Sequence, residues 1–160
     1  MARSEGALES LLEQMTDPSS THQADARTLV MPEEFSSRWD SRAARPFLDY
    51  LERDRRFSAD DVSFLAERFD IRYALSGDFR YRVIVPITDE DRALVSWTGR
   101  AINPDARAKY KTLSCSAEKP PVALAPPSDV LLNLPQLFRG GDFLVVTEGP
   151  FDALRLSLCA

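Results

Sequence analysis

The chain has 160 residues, 44% hydrophobic and 28% charged, which suits one domain with a real core, or one domain and the start of another. Its formal charge of −5 argues against indiscriminate coating of nucleic acid. Two cysteines, Cys115 and Cys159, and one histidine, His22, exclude a disulfide framework, a four-cysteine zinc site and a two-histidine zinc motif. No apolar run reaches the roughly 18 residues of a membrane span, and the acidic start MARSEGALESLLEQM has no secretory h-region. A reducing, cytoplasmic setting without membrane contact is therefore expected.

In chain order, residues 5–15 carry Leu8, Leu11, Leu12 and Met15 on one helical face, and 16–28 form a polar, Pro/Ser/Thr-rich linker. Residues 1–28 thus read as an arm. Residues 42–53 predict an amphipathic helix with Phe47, Leu48 and Leu51 inward, with Pro46 tolerated in its first turn. Ser58 caps a second helix whose first turn holds Asp60 and Asp61, and Phe57 and Val62 stand at the positions of a hydrophobic staple. Gly77-Asp78 marks a turn. The period then changes from helical to alternating. The β-branched run RYRVIVPI (80–87) and ALVSWT (93–98), separated by DEDR, predict an antiparallel hairpin.

Residues 103–111 read as a polar, basic loop, 119–127 as a short strand clamped by prolines, and 129–138 as a short helix broken at Pro135. The strand DFLVVT (142–147) follows Gly140-Gly141 and leads through Glu148-Gly149 into a last helix opened by Pro150.

Charge is unevenly placed. Between 80 and 111 stand Arg80, Arg82, Arg92, Arg100, Arg107, Lys109 and Lys111 against Asp89, Glu90, Asp91 and Asp105, so this segment is basic in an acidic chain and localises any anionic ligand. Phosphates are held by Arg and Lys, and the bases of a single strand stack on aromatics such as Trp97 and Tyr110. Each of these residues has a plainer reading as well. Arg82, Arg100 and Lys109 fit solvated charges at strand ends, and Trp97 on an alternating strand fits core packing. Glu148 stands where a strand ends and a helix begins. In open α/β sheets that edge takes ligands, and a carboxylate there holds a divalent cation, acts as a base, or simply favours the helix dipole. Asp152 lies one helical turn further on.

The order of these pieces resembles the catalytic core of DnaG-type primases, phage-like in its lead-in. An Arg-hydrophobic-hydrophobic-hydrophobic-Pro-Ile strand (82–87) meets an acidic turn. A second strand ends in Gly99-Arg100, a loop carries Lys109-Tyr110, and Glu148-Gly149-x-x-Asp152 matches the first TOPRIM motif. The resemblance covers residues 29–160. It implies an α+β fold: a helical N-terminal part, a small antiparallel sheet, then the first β-α unit of an α/β TOPRIM domain. The implied boundaries are an arm over 1–28, a primase-core N-terminal subdomain over 29–139 and the start of TOPRIM over 140–160.

The implied activity is nucleotidyl transfer, the divalent-metal-dependent synthesis of RNA primers on single-stranded DNA. Glu148 would be the catalytic, metal-side acid and Asp152 the second acid of its motif. Arg82, Arg100, Lys109 and Tyr110 would contact template or nucleotide. Implied partners are single-stranded DNA, ribonucleoside triphosphates, a replicative helicase and the remainder of a primase. Mg2+ or Mn2+ would bind only in a complete TOPRIM site. The family's zinc ribbon is absent, and no Asp-x-Asp follows Glu148, so this stretch is expected to be inactive alone. The Arg82–Ile87 and Lys109-Tyr110 blocks argue against topoisomerases and OLD-type nucleases, because they resemble the primase-specific region upstream of TOPRIM. The alternative from another class is a non-catalytic module that binds single-stranded nucleic acid or partners a replication enzyme.

Overall fold

The change of hydrophobic period near residue 80 marks the start of the two longest strands. The computed structural model describes residues 28–137 and 140–159; the helix expected at 5–15, almost all of the linker, and His22 lie outside the described residues. A 3-10 turn at Arg42–Ala44 leads into α1, Arg45–Arg55, with proline in its first turn. The second helix, α2, spans Ala59–Phe69. Ser58 Oγ accepts from Asp61 N at 3.1 Å while Asp61 Oδ2 accepts from Ser58 N at 2.7 Å, a reciprocal cap that satisfies two otherwise orphaned donors. Phe57 and Val62, the expected staple pair, are both buried in the same core.

Five strands form one antiparallel meander in sequence order: β1 Phe35–Ser36, β2 Arg72–Ala74, β3 Arg82–Thr88, β4 Leu94–Ala101 and β5 Tyr110–Thr112. The expected hairpin is β3–β4. Its turn is closed by Arg92 N to Asp89 O at 3.1 Å and by Ala93 N to Asp89 Oδ1 at 2.8 Å. The two faces of the sheet bury different sets, as a period of two requires. Val83 and Val85 pack with Phe47, Leu51, Leu65 and Tyr73 under the helices. Ile84 and Trp97 pack with Phe35, Phe79 and Leu113 on the other face. Trp97 is fully buried and makes edge contacts to Phe35 and Phe79 at centroid distances of 5.4 and 6.0 Å. Of its two readings, core packing is the one the fold adopts.

Beyond β5 the chain departs from its expected elements. The stretch expected as a strand at 119–127 forms none. Prolines 120, 121, 126 and 127 lack N–H donors, and the segment meets the sheet region through Ala123 N to Ser114 O, just past β5, and Leu124 N to Val95 O on β4. The expected helix at 129–138 is reduced to a 3-10 turn at Pro127–Asp129 and one turn, α3, at Leu134–Leu137. Asn133 between them has φ 65°, a conformation that ends a right-handed helix.

The β-α unit is realised by half. Its helix, α4 at Pro150–Leu156, buries Phe151 and Leu154 against α1 and α2. Its strand, 142–147, pairs with nothing among the described residues, and Phe143, Leu144, Val145 and Val146 are exposed. A strand exists only through a partner's hydrogen bonds, and no edge of the five-stranded sheet offers one here. Among the described residues no helix is long and apolar enough to cross a membrane. The architecture is mixed α+β, as expected.

Candidate functional site

Strand register builds the site. Tyr73, Val83, Arg100 and Tyr110 are successive cross-strand partners, so they form one row on the helix-covered face. Tyr73 and Val83 are buried under α1. Past the end of the helix the row emerges as Arg100 and Tyr110, with the Arg100 guanidinium 4.7 Å from the Tyr110 ring centroid, within cation–π range.

The last turn of α1 completes the arrangement. The Tyr50 phenol oxygen accepts from Arg55 Nε at 2.8 Å and from Arg100 Nε at 3.1 Å. Arg56 closes α1 with φ 60°, and this left-handed cap turns the chain toward α2. The Arg55 guanidinium also lies 5.3 Å from the Phe151 ring, and its carbonyl accepts from the Arg155 guanidinium. These contacts tie α4 to the end of α1. Burial alone would lower the pKa of Arg55, but the Tyr50 hydrogen bond and the proximity of Tyr50, Tyr110 and Asp152 outweigh it, and the net direction is up.

Between α1 and the β4–β5 connection lies an open cleft of roughly 490 Å³, lined by Tyr50, Asp54, Arg55, Arg100, Asn103 and Lys109 among others. Three cations face one carboxylate there. Lys109 is exposed, and its ammonium makes no ion pair or hydrogen bond among the described residues. A second cavity of roughly 300 Å³, lined by Phe69, Pro86, Leu94 and Asn133 among others, contains none of the residues singled out from sequence.

Three of those residues, Arg100, Lys109 and Tyr110, are therefore brought together at or beside the cleft. Asp152 and Gly149, the residue after Glu148, lie near Tyr110. The Cα of Gly149 faces both Tyr110 and Asp152, since a Cβ there would meet Asp152 Oδ2 at 3.0 Å and Tyr110 Oη at 3.8 Å. Both carboxylates belong to exposed residues. Glu148 makes no hydrogen bond or ion pair among the described residues. The two do not by themselves fit a divalent-metal site, because no group of three or more His, Cys, Asp or Glu is placed to hold an ion among the described residues.

Arg82 is placed differently. Its neighbour Val83 is the cross-strand partner of Arg100, so Arg82 projects from the opposite face. Its guanidinium donates to Gly99 O at 3.0 Å, Lys109 O at 3.3 Å and Ala108 O at 3.0 Å. Burial lowers its pKa, though it stays charged. The side chain straps the start of β5 to β4 and so fixes the backbone from which Lys109 projects. Gly99 permits the strap: a Cβ there would stand 2.8 Å from Phe79 Cδ1 and 3.0 Å from Arg82 Cδ.

Sequence reasoning passed over Tyr50 and Arg55. Their one signal is position, a phenol and a guanidinium in the last turns of an amphipathic helix, with Arg55 one turn beyond the buried Leu51.

No protein-family model and no curated protein matches the chain. Among solved structures it is similar to the DnaG primase catalytic domain bound to ssDNA, with a TM-score of 0.51 and 20% identity over 74% of this chain. The E. coli primase catalytic core aligns at a TM-score of 0.36 with 21% identity, over 46% of this chain and 33% of that one. The first likeness shows a primase-like α+β fold. This chain spans 46% of that structure's length.

Proposed function

We propose that this chain is the phosphate- and strand-binding part of a DnaG-type primase catalytic core, holding single-stranded DNA or nucleoside triphosphates in the cleft between α1 and β5. The observation that carries the proposal is the gathering of Arg55, Arg100 and Lys109 with Tyr50 in one cleft, with Tyr110 against Arg100 beside it. A backbone of phosphates is held by such cations, and exposed bases stack on such rings. The fold likeness supports the same reading, and so does the order of motifs from Arg82 to Asp152.

Within this proposal Glu148 and Asp152 are the acids of the first TOPRIM motif, beside the cleft that would deliver the reacting phosphate. Phosphoryl transfer with two cations draws on carboxylates from more than one element. Mg2+- or Mn2+-dependent primer synthesis is therefore proposed only for a complete TOPRIM site. The phage-like origin, the ribonucleotide substrates and the helicase partner rest on the resemblance alone.

The test is anisotropy of a labelled oligo(dT) with the 160-residue chain across a salt series, with and without EDTA. Binding that falls steeply with salt and survives EDTA is expected; binding indifferent to salt refutes the proposal. The second reading, a binding module without catalysis, rests on the same cleft, whose cations hold a phosphate without any metal. Glu148→Gln separates the two in a protein carrying the whole TOPRIM domain. A catalytic core loses primer synthesis and keeps DNA binding, whereas a module has no synthesis to lose.

A further inference from the structure

Arg55 and Arg100 arrive from different elements, α1 and β4, and both point Nε at one oxygen. The two hydrogen bonds of 2.8 and 3.1 Å bring the two Nε atoms within about 6 Å of each other. Like charges this close repel. Neither guanidinium makes a salt bridge among the described residues, and neither has an acceptor for its terminal Nη groups. Asp54 lines the same cleft, and the charge of Asp152 reaches Arg55. The phenol proton of Tyr50 likewise has no acceptor among the described residues. An oxygen that accepts two charged N–H groups is an uncommon arrangement, and it leaves the Nη edges of both half-buried guanidiniums without a protein acceptor among the described residues.

We propose that Tyr50 is a positioning residue: its oxygen clamps the Nε edges of Arg55 and Arg100 so that their Nη edges form one preassembled receptor for a phosphate group. This rests on the ligand class proposed above and deepens it. Guanidinium forks suit phosphate because two parallel N–H donors match two of its oxygens. Fixing two flexible side chains before the ligand arrives removes an ordering cost from binding. The stacking of Arg100 on Tyr110 fixes the same side chain from its other face. The phosphate can belong to a nucleic-acid backbone or to a nucleoside triphosphate, and the chemistry at the receptor is common to both.

The experiment compares the wild-type chain with Tyr50→Phe, using labelled oligo(dT) and inorganic tripolyphosphate as separate probes. The variant keeps the ring and removes only the clamp. We expect about tenfold weaker binding of whichever phosphate source is native, the size of a lost charge-assisted hydrogen bond. The salt slope should be unchanged, because no cation has been removed. In an Arg55→Ala/Arg100→Ala background the same substitution should cost nothing further, whereas a merely structural role would add its own loss. Should Tyr50→Phe fail to fold, Arg100→Lys keeps the charge, lacks the Nε fork and should show the same loss without touching the ring.

Equal binding of both probes by wild type and Tyr50→Phe overturns the clamp and leaves the proposed function standing. Clamp-dependent binding of tripolyphosphate without any binding of oligo(dT) supports the clamp and removes the strand-binding reading. Binding of neither probe by wild type overturns both.

Discussion

Arg82→Ala is the perturbation that separates a strap from a phosphate contact. The side chain makes three hydrogen bonds to carbonyls of Gly99, Ala108 and Lys109. Each is worth roughly 0.5–1.5 kcal/mol net, so their joint loss costs about 2–3 kcal/mol. For a chain of this size that is a fall of about 6–10 °C in Tm, read by differential scanning fluorimetry or circular dichroism. Loosening the start of β5 also frees the backbone that places Lys109, so oligo(dT) affinity should fall at any one salt concentration. The salt slope should stay as it is, because Arg82 faces away from the cleft. A phosphate contact behaves in the opposite way: its loss lowers the slope by about 0.7 on a single strand and leaves Tm alone. A variant with unchanged Tm and a reduced slope would refute the assignment of Arg82 to the opposite face of the sheet.

The other substitutions probe different parts of the same argument. If Arg55, Arg100 and Lys109 each neutralise one phosphate, raising salt from roughly 50 to 200 mM weakens wild-type oligo(dT) binding about 18-fold and Arg100→Ala binding about 7-fold; equal ratios by anisotropy count against Arg100. Arg56 holds φ 60°, so Arg56→Gly should raise stability by about 1 kcal/mol in urea unfolding, and a lower midpoint would show that its side chain does more than close α1. Gly99→Ala drives a Cβ to 2.8 Å from Phe79 and should cost about 1–3 kcal/mol by the same measurement. Leu154→Ala, fully buried, should cost about 2–5 kcal/mol, whereas Val146→Thr, 82% exposed, should stay within about 0.5 kcal/mol. Comparable costs for the last two would mean that the 142–147 segment is paired in solution.

Local signals in the sequence carried far, because they are physically local. Ser58 and Asp61 lie three residues apart and cap each other; Pro150 and the alternation of 82–87 need no distant partner to be read. The strands β1, β2 and β5, of two, three and three residues, are too short to carry a period and are defined by their pairing. The facing of Arg82 and Arg100 depends on register, since a slip of one residue between β3 and β4 would put both on one face. Segment 142–147 reads as a strand on composition, but composition supplies no partner. For the site, Arg100, Lys109 and Tyr110 were legible as basic and aromatic residues within one stretch. Tyr50 and Arg55 were not, because their part in the cleft follows from where α1 ends relative to β4.

That dependence makes the cleft a product of core packing. Arg55 is held by Tyr50 within its own helix, and its guanidinium lies against Phe151. Phe151 is positioned by the burial of α4, on which Leu154 sits in the same core as Phe57, Val62 and Leu65. The Arg155 guanidinium meets the Arg55 carbonyl and stands 3.9 Å from the Phe57 ring, closing the contact from the other side. The docking of α4 thus fixes one guanidinium of the cleft, while the β3–β4–β5 register fixes the other. Gly149 and Asp152 come near Tyr110 through the same docking. A chain that docks α4 without pairing the preceding strand can therefore assemble its cationic cleft before any sheet forms around residues 142–147. Under the proposed function, holding a phosphate and gathering a metal would be separable in this fold, because the cleft is built from contacts among the described residues, whereas no group of three or more His, Cys, Asp or Glu is gathered among them.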